Sequence, residues 1–160
     1  MKQYQFFPQQ NNRCLASCLQ SLLASRGLKI PSQEEISRNF SQVKGGFDVD
    51  EDALNRFLQA YGLRARFESP FTSFVEPDML IKSFPQSSDI LVAYDYLMLT
   101  HKGSGAGHLS ILVDFREGQD REVYLHDNLA QKVEQVSLPD LINSMRTFRN
   151  CGFYLIRQTI

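Results

Sequence analysis

The chain predicts a single α+β domain, and three observations carry that reading. Capped segments with apolar residues at helical spacing fill the first half, and runs rich in β-branched and aromatic residues fill the second. The 160 residues suit one core, large enough to bury roughly 70% of the surface the unfolded chain exposes. The expected architecture is a helical N-terminal half packed on an antiparallel β-sheet from the C-terminal half, one domain over residues 1–160, with the functional site between the halves.

Taken in order, the first helix is expected to start at Asn11 or Asn12, either of which can cap, and to stop at Gly27. Leu15, Cys18, Leu19, Leu22 and Leu23 recur at i, i+3, i+4, i+7 and i+8, a buried stripe with Cys14 at its edge. Ser32-Gln-Glu-Glu35 is a capping box opening a short helix to about Phe40, and Asp50 caps another that ends at Gly62. Gly45-Gly46 marks a loop between them. Leu63 to Phe67 alternates as a strand, and a Pro- and Ser-bearing loop leads to a helix over Pro77 to Ser83. Ile90 to Tyr94, His108 to Phe115, Glu122 to His126 and Gly152 to Arg157 then read as strands. Ser137, with Pro139 in the first turn, starts a last helix.

Composition narrows the function classes. Seventeen basic and 18 acidic residues without a long run of either sign leave no footprint for nucleic acid or an anionic membrane. The first residues lack an apolar signal core, and no stretch reaches the roughly 18 apolar residues a spanning helix needs. The expectation is a soluble domain, cytoplasmic by default, with export by a route lacking a cleaved signal left open. Three cysteines, an odd number, argue against a disulfide framework.

Chemistry concentrates on three residues. Cys14 stands at a predicted helix start, where the positive end of the helix dipole and a neighbouring imidazolium both favour the reactive thiolate over the thiol. His108 opens a strand behind Gly103-Ser-Gly-Ala-Gly107, and Asp127 ends the next one. A nucleophile, a histidine base and a polar orienter form the set that thiol catalysis requires, with Asn128 as the alternative orienter. A glutamine ahead of the cysteine can supply an oxyanion donor. His126 shares a strand with Asp127 but points to the opposite face, a structural position. Gly107 and its neighbouring glycines let the backbone pass close to a substrate or form a lid. They do not fit a phosphate cradle, because no Lys-Ser or Lys-Thr follows and the segment precedes a strand. Cys14 and Cys18 share a helix face, yet without a second ligand pair they make no metal site. Arg13 is either a solvated charge or a group that favours thiolate and holds a substrate carboxylate.

The order of cysteine helix, histidine strand and carboxylate strand resembles the papain-like cysteine peptidase superfamily. Cys14-Leu-Ala-Ser-Cys-Leu-Gln-Ser-Leu-Leu-Ala-Ser-Arg-Gly27 resembles the nucleophile helix of peptidases that cleave double-glycine leaders. Gly103 to Phe115, with Asp127 19 residues beyond His108 and Gly152 to Arg157 as a closing strand, is similar to phytochelatin synthase. The resemblance implies a papain-like fold and a thiol hydrolase or acyltransferase acting on a peptide or amide bond. Cys14 is then the nucleophile, His108 the base, Asp127 the orienter and Gln9 the oxyanion donor, with Gln10, Arg13 and Gly107 against the substrate. No cofactor or metal is implied; the partner is a peptide or protein. Processing peptidases and bacterial effectors directed at host proteins belong to this class.

Departures from the family pattern set up the rival reading, a papain-like domain that binds peptide without catalysis. Leu15 replaces the glycine that follows the nucleophile in both families, which either narrows the approach to the thiol or reshapes the first turn. Pro8 stands where the family glutamine stands, so Gln9 or Gln10 acts from a shorter loop, Gln9 by preference. The basic residue that holds the glutathione carboxylate in phytochelatin synthase has only Lys132 or Arg121 as counterparts, which counts against glutathione as substrate.

Overall fold

The computed structural model describes residues 1–44, 46–72, 76–84 and 87–160. In chain order these form α1 (Cys14–Ser25), α2 (Gln33–Ser37), β1 (Gln42–Val43), β2 (Gly46–Phe47) and α3 (Glu51–Leu58), which tightens into a 3-10 turn over Gln59–Tyr61. There follow β3 (Leu63–Glu68), α4 (Pro77–Ser83), β4 (Asp89–Asp95), α5 (Tyr96–Leu99), β5 (Gly107–Arg116), β6 (Glu122–Asp127), β7 (Lys132–Ser137), α6 (Leu138–Asn143) and β8 (Gly152–Gln158). Six strands make one antiparallel sheet in the order β3-β8-β4-β5-β6-β7, and β1 and β2 pair separately. The α+β class is therefore observed. Among the described residues no helix is long and apolar enough to cross a membrane.

The expected division into a helical half and a sheet half needs correction. The first half donates β3, which pairs with the last strand, so the two halves are interleaved at one sheet edge. Helices also cover both faces. Leu91, Ala93, Leu109, Ile111, Tyr154 and Ile156 meet α1, α2 and α3, while Ile90, Val92, Val123, Leu125, Phe153 and Leu155 meet α4 and α6. A strand covered on both sides needs apolar residues at every position, which is why β4 shows a continuous run and is buried throughout.

Local chemistry sets most boundaries. Ser32 and Glu35 close both bonds of the capping box, and Asp50 and Ser137 accept from the N–H groups of Ala53 and Asp140. The α2 helix nevertheless stops at Ser37, and Phe40 reaches the core through a turn. The expected asparagine cap of α1 is absent. Asn11 and Asn12 adopt positive φ (37° and 57°), a conformation asparagine tolerates, and turn the chain so that Arg13 occupies the cap position without a side-chain bond. The helix accordingly starts at Cys14 itself. Of the predicted Gly45-Gly46 loop, Gly45 lies outside the described residues and Gly46 begins β2.

The stripe predicted for α1 proves to be nearly the whole helix, since every residue from Leu15 to Leu23 is buried. Its polar members are satisfied, as buried polar groups must be. Gln20 donates to the Pro31 carbonyl (2.9 Å) and accepts from Gln33 Nε2 (3.0 Å), and Ser17 Oγ donates to the Cys14 carbonyl (3.0 Å).

Gly152, at the start of β8, lies close against β3. A Cβ there would lie 2.8 Å from the Glu68 carbonyl oxygen and 2.8 Å from the Phe67 ring. We predict that Gly152→Ala costs about 1–3 kcal/mol and lowers Tm by several degrees. Gly107→Ala, whose new methyl meets only the Phe148 ring at 3.8 Å, should leave Tm unchanged in the same calorimetric scan.

Candidate active site

The start of α1, the start of β5 and the turn after β6 line one cleft of about 530 Å³, through Cys14, Gly107, His108 and Leu129 among others, with Gln9 beside them; Asp127, the last residue of β6, lies buried behind His108 and outside the lining. Register brings the two strand residues together, because β5 and β6 are neighbours in the sheet. His108 Nε2 lies 2.9 Å from Asp127 Oδ1, with both side chains almost wholly buried. That bond occupies Nε2 and leaves Nδ1 without a bond to Asp127; half-buried Cys14 lines the same cleft as His108 and is one of the groups that favour the charged ring. Tyr94 and Tyr96 fix the imidazole plane, each meeting it edge to face at centroid distances of 5.6 and 5.5 Å.

The electrostatics follow from these contacts. Burial opposes the charged form of His108, but the hydrogen bonds and charges of Asp127 and Cys14 outweigh it and raise the ring to about 9. Burial likewise works against the Asp127 carboxylate, yet His108 and the N–H groups of Leu129 and Ala130 hold it below the usual range. The other two thiols differ in kind. Burial pushes Cys18 well up, and burial together with the Asp95 charge pushes Cys151 up to about 12, so neither is a nucleophile at neutral pH although Cys151 also lines the cleft.

Contacts of Cys18 and Ser21 seat α1 against the strands that carry the pair. Cys18 Sγ donates to the carbonyl of Leu109, the residue after His108, at 3.3 Å. Asn128, the residue after Asp127, donates from Nδ2 to Ser21 Oγ at 3.0 Å. Asn128 Oδ1 also accepts the Phe7 N–H at 2.9 Å, and Gln33 Nε2 donates to the Pro8 carbonyl at 2.9 Å, which fixes the segment leading to Gln9. Asn128 is thus a staple between the N-terminal segment, α1 and β6, and does not replace Asp127 as orienter. His126 faces the opposite side of β6, stacked on Phe6 at 4.0 Å with its Nε2 donating to Asn128, and burial holds it below its ordinary pKa.

The structure also separates the remaining candidates. Gln9 lines the cleft, and its Oε1 is buried without a hydrogen-bond partner among the described residues. Gln10 is exposed and outside the cleft, its backbone tied to Gln33 and Arg13. Arg13 also stays outside the lining, occupied as the cap residue of α1, whereas Asn12 reaches it. Of the three expected substrate contacts, Gly107 lines the cleft and Gln10 and Arg13 do not. Leu15 is 3% exposed within the core beneath α1, so it does not block the thiol.

Asp95 was not anticipated. It is fully buried at the end of β4, accepts from the N–H groups of Leu97 and Met98 to start α5, and accepts from Gly105 (2.6 Å) and Ala106 (3.2 Å). One carboxylate therefore holds both the glycine-bearing loop and the helix that carries Tyr96 beside His108. Its capping signature, an Asp directly before Tyr96-Leu-Met-Leu99, was available in the sequence. Gly103 and Gly105 take φ of 123° and 101°, which only glycine adopts readily, whereas Gly107 needs no such freedom. Among the described residues no group of three or more His, Cys, Asp or Glu side chains is arranged to hold a metal ion.

No protein-family model matches this chain, and no curated protein sequence matches it.

The coupling predicts a titration. In NMR, the His108 ring should titrate near pH 9 and move to lower pH both in Asp127→Asn and in Cys14→Ala, because each partner supports the charged ring. By linkage, this raised value contributes stability that is complete below about pH 6.5, the ordinary unfolded value, and is lost as pH rises through about 9. An unchanged His108 midpoint in Cys14→Ala would show that the two side chains do not interact.

Proposed function

We propose that this protein is a papain-like cysteine peptidase, or a related thiol acyl hydrolase or transferase, that breaks a peptide or amide bond. The observation that supports this most is the buried His108–Asp127 bond, which leaves one ring nitrogen for a cysteine at the first position of a buried helix. Burial raises the other two thiols, Cys18 and Cys151, out of the reactive range.

In the proposed cycle, Cys14 and His108 begin as thiolate and imidazolium. Sulfur attacks the carbonyl carbon, the C–S bond forms, and the carbonyl electrons move to oxygen. Gln9 Nε2 and the Cys14 N–H, which has no acceptor within the helix, donate to that oxyanion. Collapse breaks the C–N bond as His108 Nδ1 passes its proton to the departing amine, leaving a thioester on Cys14. Water, or an amine in transpeptidation, then attacks while His108 takes its proton, and the C–S bond breaks to return the thiolate. Asp127 keeps Nε2 protonated throughout and holds the ring in its working tautomer. No step calls for a metal or cofactor.

The peptide-binding reading without catalysis drew on Leu15 and on the shifted glutamine; the core position of Leu15 removes the steric basis, and Gln9 lines the cleft from its shorter loop. The glutathione route has no matching cation shortly after Asp127, since Lys132 is exposed toward Glu134 and neither Lys132 nor Arg121 lines the cleft.

Mass spectrometry of a synthetic peptide mixture incubated with the protein tests the proposal. Cleavage or acyl transfer is expected, falling to background in Cys14→Ala with Tm retained, and about 10²–10³-fold in Gln9→Ala. Cys18→Ala should lower Tm, as loss of a buried contact to β5. No turnover by the parent protein, or turnover that survives Cys14→Ala, would refute it. Glutathione at millimolar concentration should release little glycine; rapid Cys14-dependent release would instead make γ-glutamylcysteine transfer the leading activity.

A further inference from the structure

We infer that the cleft selects a peptide segment carrying a bulky apolar side chain with a carboxylate within a residue or two of it, an inference about substrate class that rests on the function proposed above. Most large apolar side chains of this protein are buried, and those left exposed are scattered. Three of them, however, come from three segments distant in sequence to line one cleft: Val43 at the end of β1 (48% exposed), Leu129 after β6 (50%) and Phe148 before β8 (38%). Exposing such groups around a concave site has a cost in water that covering by a ligand removes. Deeper in the same cleft Val49 and Leu109 continue the apolar lining toward His108.

Charge then narrows the ligand. Lys44 and Arg149 line the cleft, are exposed, and form no ion pair among the described residues. The one carboxylate among the described lining residues, Asp48, accepts a hydrogen bond from Asn150 Nδ2 at 3.1 Å, a contact that ties the β1–β2 side of the cleft to the loop before β8. Among the described residues the cleft walls thus present two cations without an ion pair and one carboxylate held by a neutral amide, a net positive charge beside apolar surface. A peptide with Glu or Asp next to a Leu-like or Phe-like side chain satisfies both, whereas a basic or glycine-only segment satisfies neither. Arg149 is suited to a carboxylate because its planar fork offers paired donors.

Fluorescence anisotropy with Cys14→Ala measures this preference without turnover, using labelled peptides that differ only in Leu-Glu, Leu-Lys, Gly-Glu and Gly-Lys at adjacent positions. The Leu-Glu peptide should bind about tenfold or more tighter than Gly-Glu, and about threefold to fivefold tighter than Leu-Lys for each cation engaged. Arg149→Glu should reverse the charge preference, and Leu129→Ser should remove most of the apolar one; both positions are exposed and should leave the fold unaltered. Equal affinity for the four peptides, no binding of any, or preferences that survive both variants would overturn the inference. Failure of the catalytic reading has a separate signature, namely selective binding by Cys14→Ala alongside no turnover by the parent protein.

Discussion

Everything at the site depends on how α1 is seated. A buried helix can slide or rotate against a sheet unless something other than apolar contact fixes it, and here polar contacts do so: beside the Arg26–Asp89 pair at its far end, one hydrogen bond runs from Cys18 to the carbonyl after His108 and another between Ser21 and Asn128, the residue after Asp127. The Cys18 and Ser21 bonds are each made one residue beyond a member of the proposed catalytic pair. Cys14, one turn before Cys18, is therefore set opposite His108 by contacts that take no part in the chemistry. Asn128 extends the same control to the N-terminal segment through Phe7, and so to Gln9. Backbone and side-chain bonds in a dry interior are costly to leave unmade, which makes this register specific as well as stable.

Seating the helix has an electrostatic consequence. A lone histidine buried as deeply as His108 would be neutral, because desolvation penalises the imidazolium. Asp127 on one ring nitrogen and Cys14 beside the other reverse that preference. The same interior keeps Cys18 and Cys151 protonated, so burial both silences two thiols and, through the His108–Asp127 bond, prepares the charge beside the third. Asp95 completes the arrangement at a distance, converting one buried carboxylate into the position of a loop and of Tyr96.

The sequence made visible those features that are local. Ser32, Asp50 and Ser137 named their helices because a cap acts within four residues, and the apolar runs of β4, β5 and β8 were legible because burial on both faces demands them. What escaped depends on pairing across the chain. The β7 strand carries Lys132, Glu134 and Gln135 at an exposed sheet edge and turns back from β6 with Gln131 at φ 52°, without a glycine to announce the turn. The β1 and β2 strands are two residues each, too short to show a period. Asn11 and Asn12 read as caps because asparagine favours caps and left-handed turns alike, and only the path of the chain into α1 decides between them. Likewise the type of Asn128 suggested an orienter, while its contacts made it a staple. The Cys14, His108 and Asp127 set was legible by residue type and order, whereas its geometry required the sheet register.

The central claim is that His108 and Cys14 act as one charged pair. The most direct measurement is the rate of iodoacetamide modification of each cysteine, mapped by mass spectrometry at about pH 6, where an isolated thiol near its ordinary pKa reacts slowly. The account predicts rapid modification of Cys14 alone, and loss of that advantage in His108→Ala. A Cys14 rate that is no faster than that of a model thiol, or that is unchanged by His108→Ala, would contradict it.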